Sequence, residues 1–172
     1  MLPGIEVIDG LINYYFEYCN WIYRHINQPA FLQQWERYKG GASADRITLS
    51  TACVILAAAT FYLPAQHQLL EGITETVEEL GHKFYEASTM ALQRRQNESK
   101  TYNLELVELI LLRSHYLTLL KKDSEEIWAA AGEMVRIGTA MGLHRDPGKW
   151  RMHRDVAERR RWAWWHIMLF ER

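Results

Sequence analysis

Cysteine is scarce: only Cys19 and Cys53 occur in 172 residues. Two thiols cannot build a disulfide framework or a cysteine-rich zinc cluster. Both stand among apolar neighbours, where a thiol is an inert core group of a reducing compartment. Charge of one sign is missing too, with 20 Lys and Arg against 21 Asp and Glu and a net charge of −1. Phosphate-binding surfaces declare themselves by an excess of basic residues, so this balance argues against a nucleic-acid-binding domain. No apolar run reaches the ~20 residues that cross a bilayer. The best candidate, residues 47–63, lacks formal charge but contains Thr48, Ser50, Thr51 and Thr60 and stops at Pro64. It reads as a buried helix, and no membrane partner is expected. Met1 is followed by Pro3, Gly4 and Glu6, not by the basic-then-apolar run of a secretory signal. No alternating β pattern, sustained heptad or fixed-period repeat occurs.

The usual signatures of chemistry are absent as well. There is no His-Glu-x-x-His, phosphate loop or Gly-x-Ser-x-Gly. Glu79 and His82 form one Glu-x-x-His pair, but a di-iron bundle needs a second pair and further Glu residues. A solvated helix face explains the pair better. His144 and His153 flank a loop, and two ligands fall short of a structural zinc site. No catalytic, cofactor-binding or metal residue is therefore assigned, and no enzyme activity is expected.

What is present is helix. Hydrophobic residues make up 48% of a chain long enough for one domain, or a large part of one, with a real core. Ile8, Leu11, Ile12, Tyr15, Phe16, Cys19 and Ile22 recur at helical spacing over residues 5–26. Pro29 marks a break and a helix start, followed by Phe31, Trp35 and Tyr38. Residues 39–45, with Gly40, Gly41 and Ser43, form the clearest loop. The apolar residues 47–63 make a central helix. Residues 66–96 stay helical, interrupted at Gly72 and Gly81, with an acidic beginning (Glu71, Glu75, Glu78, Glu79) and a basic end (Arg94, Arg95) that suit the helix dipole. Asn103 is placed to cap the next helix, over residues 104–121, whose apolar residues cover more than one face.

The last third organises the chain. Asp123 and Glu126 have capping-box spacing. Ile127, Ala131, Met134, Gly138 and Met141 then give one apolar face. Gly142 is placed for a left-handed stop, with Leu143 closing the hydrophobic contact beyond it. Pro147 prevents the turn His144-Arg145-Asp146-Pro147 from continuing the helix and pushes Asp146 out of the α region. Asp155 and Glu158 repeat the capping spacing before Arg159-Arg160-Arg161 and Trp162, Trp164 and Trp165. With Lys149, Arg151 and Arg154 this is a basic stretch. Three consecutive Arg spread over about 200–300° of a helix at ~100° per residue, so they cannot form one phosphate-binding stripe. Helix packing and ion pairing, including Glu158 with Arg161, are the expected uses.

These residues resemble the fungal-specific transcription factor domain, the regulatory region of binuclear zinc cluster transcription factors. In that family a helix ends in a Gly-Leu-His-Arg-Asp-Pro turn. The next helix carries Glu, an Arg run, paired aromatics and an acidic-Arg pair. Here these are Gly142, Leu143, His144, Arg145, Asp146 and Pro147, then Glu158, Arg160 and Arg161, Trp164 and Trp165, and Glu171 with Arg172. Glu171 stands where Asp is usual, and Trp162 where the Arg run usually continues. The family's opening has a Tyr-Phe pair and a Pro-x-Phe element, matched by Tyr15, Phe16, Pro29 and Phe31. Asn27 stands where many members have His. The matched residues are expected to be structural.

The helical pattern predicts an all-α fold of about seven antiparallel packed helices, similar to helical-repeat proteins. The resemblance covers nearly all of residues 1–172 and implies the N-terminal part of a larger all-α regulatory domain. It implies a nuclear regulator of transcription by RNA polymerase II. DNA binding, and the zinc that it needs, belong to a six-cysteine cluster domain outside this chain. The implied partners are other parts of the same factor, the transcription machinery and a small-molecule effector. The competing expectation is an all-α protein-interaction module with no DNA-binding role.

Overall fold

The computed structural model describes residues 3–21, 23–121 and 124–171. The expectations placed on Ile22, Asp123 and Arg172 lie outside the described residues. Among those described, there are seven α-helices and no strand, as an all-α fold requires. The chain divides into two compact units, Met1–Arg24 with Gln28–Ser99, and His25–Asn27 with Lys100–Arg172.

In the first unit the central element is α3 (Arg46–Tyr62). Asp45 caps it by accepting from the Thr48 N–H at 2.9 Å. Of its 17 residues, 13 are buried. The reason is side-chain size: Ala52, Ala57, Ala58 and Ala59 let neighbours approach from every side. Ser50 is fully buried among them, and its hydroxyl donates to the Ser88 carbonyl of α4 (Val77–Glu98) at 2.9 Å. That bond satisfies a polar group which burial would otherwise penalise.

α1 (Ile5–Tyr14) presents Ile8, Leu11 and Ile12 to the core. The helical pattern continues past Tyr14 as expected, but as a single wide π turn, Tyr15–Cys19. The Asn20 N–H bonds the Tyr15 carbonyl at 3.0 Å, and the Tyr15 hydroxyl bonds Asn20 Oδ1 at 3.2 Å. The Tyr15 side chain thus closes the helix that its own periodicity would have extended to residue 26. α2 (Gln28–Lys39) has Pro29 in its first turn and buries Phe31 and Trp35.

Residues 66–96 are not one interrupted helix. Gln68–Leu70 forms a 3₁₀ turn, and α4 begins only at Val77. Thr76 and Glu79 set this boundary. The Glu79 N–H donates to Thr76 Oγ1 at 3.2 Å, and the Thr76 N–H to Glu79 Oε2 at 2.9 Å. Glu71 and Glu75 therefore precede the helix that they were expected to open.

The second unit packs α5 (Leu104–Leu119), α6 (Ser124–Ala140) and α7 (Arg154–Phe170) against one another. Asn103 caps α5 through the Leu106 N–H at 3.0 Å. α5 is buried around most of its circumference, with Val107, Leu109, Leu111 and Leu112 almost fully covered. On α6, Ala131, Met134 and Gly138 are buried and Ile127 is half-buried, as is Met141 just past the end of the helix. A Cβ on Gly138 would stand 3.0 Å from Ile167 Cδ1 and 3.1 Å from Trp164 Cζ3. The glycine is what lets α7 approach α6 this closely.

Candidate regulatory site

The turn after α6 folds as its residues dictate. Gly142 is left-handed, with φ of 69°. The Leu143 N–H reaches back to the Gly138 carbonyl at 2.8 Å, and the Gly142 N–H to the Thr139 carbonyl at 3.0 Å. Leu143 is buried, which completes the Schellman stop. Asp146 is extended, and its carboxylate accepts from the Gly148 N–H at 3.0 Å. Pro147 is buried and opens the 3₁₀ turn Pro147–Trp150. A left-handed Arg151, φ of 52°, then redirects the chain into α7.

The expected capping pair at the start of α7 does not form. The helix begins at Arg154 after His153, which makes no side-chain capping bond, so Asp155 lies inside the first turn. There its charge suits the helix dipole, but it cannot cap. Glu158 instead accepts from Arg161 at 2.5 Å, as its spacing predicts.

The three arginines diverge, as the 100° rotation per residue demands. Arg159 points to α5, with Nε and Nη2 on the Glu108 carboxylate at 2.6 and 2.7 Å and Glu105 at 3.1 Å. Arg160 donates from Nη2 to the Met141 carbonyl at 2.8 Å, at the end of α6. Arg161 donates to Asp146 at 2.9 Å as well as to Glu158. Each therefore ties α7 to a different neighbour. Burial pushes the Glu108 carboxyl up from its usual value, against the hydrogen bonds from Arg159. Burial also opposes the charge on Arg159, but its bonds to Glu108 and Glu105 outweigh this and raise its pKa. The two-pronged geometry is that of an ionised pair.

The aromatic pair splits: Trp164 is half-buried against Gly138, and Trp165 is exposed. Trp162, Trp165 and Leu169 are all more than 40% exposed and form an apolar stripe along α7. His144 is exposed, with its ring 6.0 Å from that of Trp164. Arg145 is exposed at the mouth of the turn. In the first unit, Tyr15 and Phe31 are buried, Phe16 meets Tyr15 edge-on at 5.2 Å between ring centres and Phe31 at a tilt at 5.8 Å, and Pro29 is exposed. These are packing roles. Glu79 is used in its capping box, and the exposed His82 faces Glu86 at 3.3 Å.

A group that no local pattern signalled lies within the second unit. His25, His115 on α5 and His166 on α7 come together, with ring centroids 5.1 and 4.6 Å from that of His25. His166 is 1% exposed and its Nδ1 lies 3.0 Å from the Trp162 carbonyl. Among the described residues, no three His, Cys, Asp or Glu side chains are arranged to hold a metal ion. Burial, then the neighbouring His166 and His115, hold His25 well below the usual histidine value, and burial and His166 lower His115. Folding thus disfavours protonation of both. The unfolded chain binds more protons below its own histidine pKa of ~6.5, so stability is intact above that pH and falls as pH drops through it. The expected slope approaches about 1.4 kcal/mol per pH unit for His25, with a smaller contribution from His115. Urea unfolding between pH 7.5 and 5.5 checks this, and His115→Gln should remove part of the slope.

Both cysteines are free thiols; Cys53 is buried, while Cys19, expected in the core, is half-buried. Burial pushes the Cys19 thiol up to about 12 and the Cys53 thiol up to about 11. Among the described residues, no helix is long and apolar enough to cross a membrane.

The described residues define an all-α protein in which the turn after α6 and the Arg run of α7 build stops, caps and interhelical ties. The chain belongs to the family described as the fungal specific transcription factor domain, whose profile matches residues 12–172. It is similar to the transcription factor opdR of Penicillium oxalicum, 28% identical over 149 residues. That match covers 85% of this chain but only 18% of the relative. No solved structure matches.

Proposed function

We propose that the chain is the regulatory region of a zinc cluster transcription factor, acting in the nucleus on transcription by RNA polymerase II. The observation that carries this reading is the family match over residues 12–172, together with the signature turn and Arg run folding into one interlocked element. The role is not enzymatic. DNA is contacted through a six-cysteine domain encoded outside these residues, and this region controls output by contacts within the factor, with transcription partners or with a small molecule. Residues 1–172 would then form the N-terminal part of a larger all-α domain.

A reporter assay tests it. Inserted between a zinc cluster DNA-binding domain and an activation domain, the chain should change reporter output several-fold at equal protein level. Unchanged output from a well-expressed fusion would favour a plain interaction module, whose exposed α7 stripe would then be the surface to probe by pull-down.

A further inference from the structure

We propose that a cavity at the C-terminal end of α6 binds a small organic carboxylate with a flat apolar body. The cavity is about 360 Å³ and is bounded by Met141, Arg145, Pro147, Trp150, Met152 and Arg160. Its charge is what singles it out. Arg159 is neutralised by Glu105 and Glu108, and Arg161 by Asp146 and Glu158. Arg145 and Arg160 have no carboxylate within ion-pair distance among the described residues, and both face this one space. Arg160 is also pre-positioned: its Nη2 donates to the Met141 carbonyl, which holds the guanidinium at the cavity wall. Its other N–H groups form a planar fork matched to a carboxylate.

The remaining walls decide the body of the ligand. Met141 and Met152 offer polarisable thioethers, and Trp150 and Pro147 offer flat apolar surfaces, which together suit a ring. The volume lies at the small end of ligand sites, enough for one fused ring system and its acid group. The last turn of α6 also borders the cavity, and its carbonyl end carries partial negative charge. A singly charged carboxylate tolerates this better than a doubly charged phosphate. As an effector site, the cavity rests on the function proposed above, whereas binding itself can be tested without it.

The purified chain is titrated by calorimetry with 2-naphthoate, its neutral analogue 2-naphthamide and inorganic phosphate. The naphthoate should bind 1:1 with a Kd of about 1 mM or tighter. The amide and phosphate should bind at least about tenfold more weakly, as should naphthoate to Arg145→Met and to Arg160→Met. Arg136→Met, at an exposed α6 arginine outside the cavity lining, should bind as the parent does. Arg160→Met also removes a bond to the end of α6, so Arg145→Met carries the test if that variant does not fold. Equal binding of the amide, unchanged binding by Arg145→Met, or no binding of naphthoate would overturn the site. Absent binding beside a reporter that responds to insertion of the chain sinks the site alone. Confirmed binding beside an unresponsive reporter sinks the regulatory reading alone.

Discussion

Replacing Glu108 by alanine is expected to cost about 3–5 kcal/mol of unfolding free energy, the range for removing one partner of a buried ion pair. Glu108 is 6% exposed and receives both prongs of Arg159. Without it, a largely covered guanidinium keeps, among the described residues, only Glu105, at 3.1 Å, as a counter-charge. The penalty is chiefly that of a buried cation left under-compensated, not the net worth of the pair. A double replacement separates the two. Glu108→Leu combined with Arg159→Met puts apolar groups of similar size in the same space, and should lose less than Glu108→Ala alone. Urea denaturation at pH 7 measures all three variants. A loss below about 1 kcal/mol for Glu108→Ala, the scale of an exposed pair, would show that water reaches the site.

This pair also marks where reading the sequence stops. Elements governed by neighbours in the chain were legible. Gly142 with Leu143 announces its own stop, because the residue that can adopt positive φ sits directly after the last periodic position. The divergence of Arg159, Arg160 and Arg161 follows from helix geometry alone. What each arginine meets does not. Glu108 lies 51 residues away, and only the three-dimensional packing of α5 on α7 joins them. One signal was available: a carboxylate between Val107 and Leu109, in a helix buried on several sides, needs a cationic partner. The histidine group gave no such sign, since His25, His115 and His166 come from three separate elements.

Local signals also compete, and the strongest is not always the one that attracts notice. Thr76 and Glu79 have capping-box spacing, yet the helical composition of residues 66–76 masks them. Asp155 and Glu158 have a comparable acidic spacing, but the turn before α7 starts the helix at Arg154, two residues too early for Asp155 to cap. Spacing shows that a cap is geometrically available. Whether it forms depends on how the preceding turn delivers the backbone.

Trp35→Ala is expected to cost the first unit about 3–5 kcal/mol. The ring is 5% exposed and stacks at 6.4 Å on Phe31 and 5.7 Å on Tyr38. Its Nε1 donates to Asp9 Oδ1 at 2.8 Å, and Lys39 holds the other oxygen at 2.7 Å. Burial works to raise the Asp9 carboxyl, but the bonds from Lys39 and Trp35 outweigh it and hold it below the usual range. Alanine therefore removes both the packing that seats α2 and one of the bonds that ties α2 to α1. Trp35→Phe restores most of the packing without the donor, and should lose only about 1–2 kcal/mol. Because α2 rests on α3 within this unit, the damage should be local at first. In Trp35→Ala, hydrogen exchange should deprotect the amides of α2 before those of α3, whose core position keeps them closed until global unfolding. Equal losses for the two variants would mean that the hydrogen bond, not the ring packing, seats α2. Simultaneous deprotection of α2 and α3 would mean that the unit opens as one cooperative body.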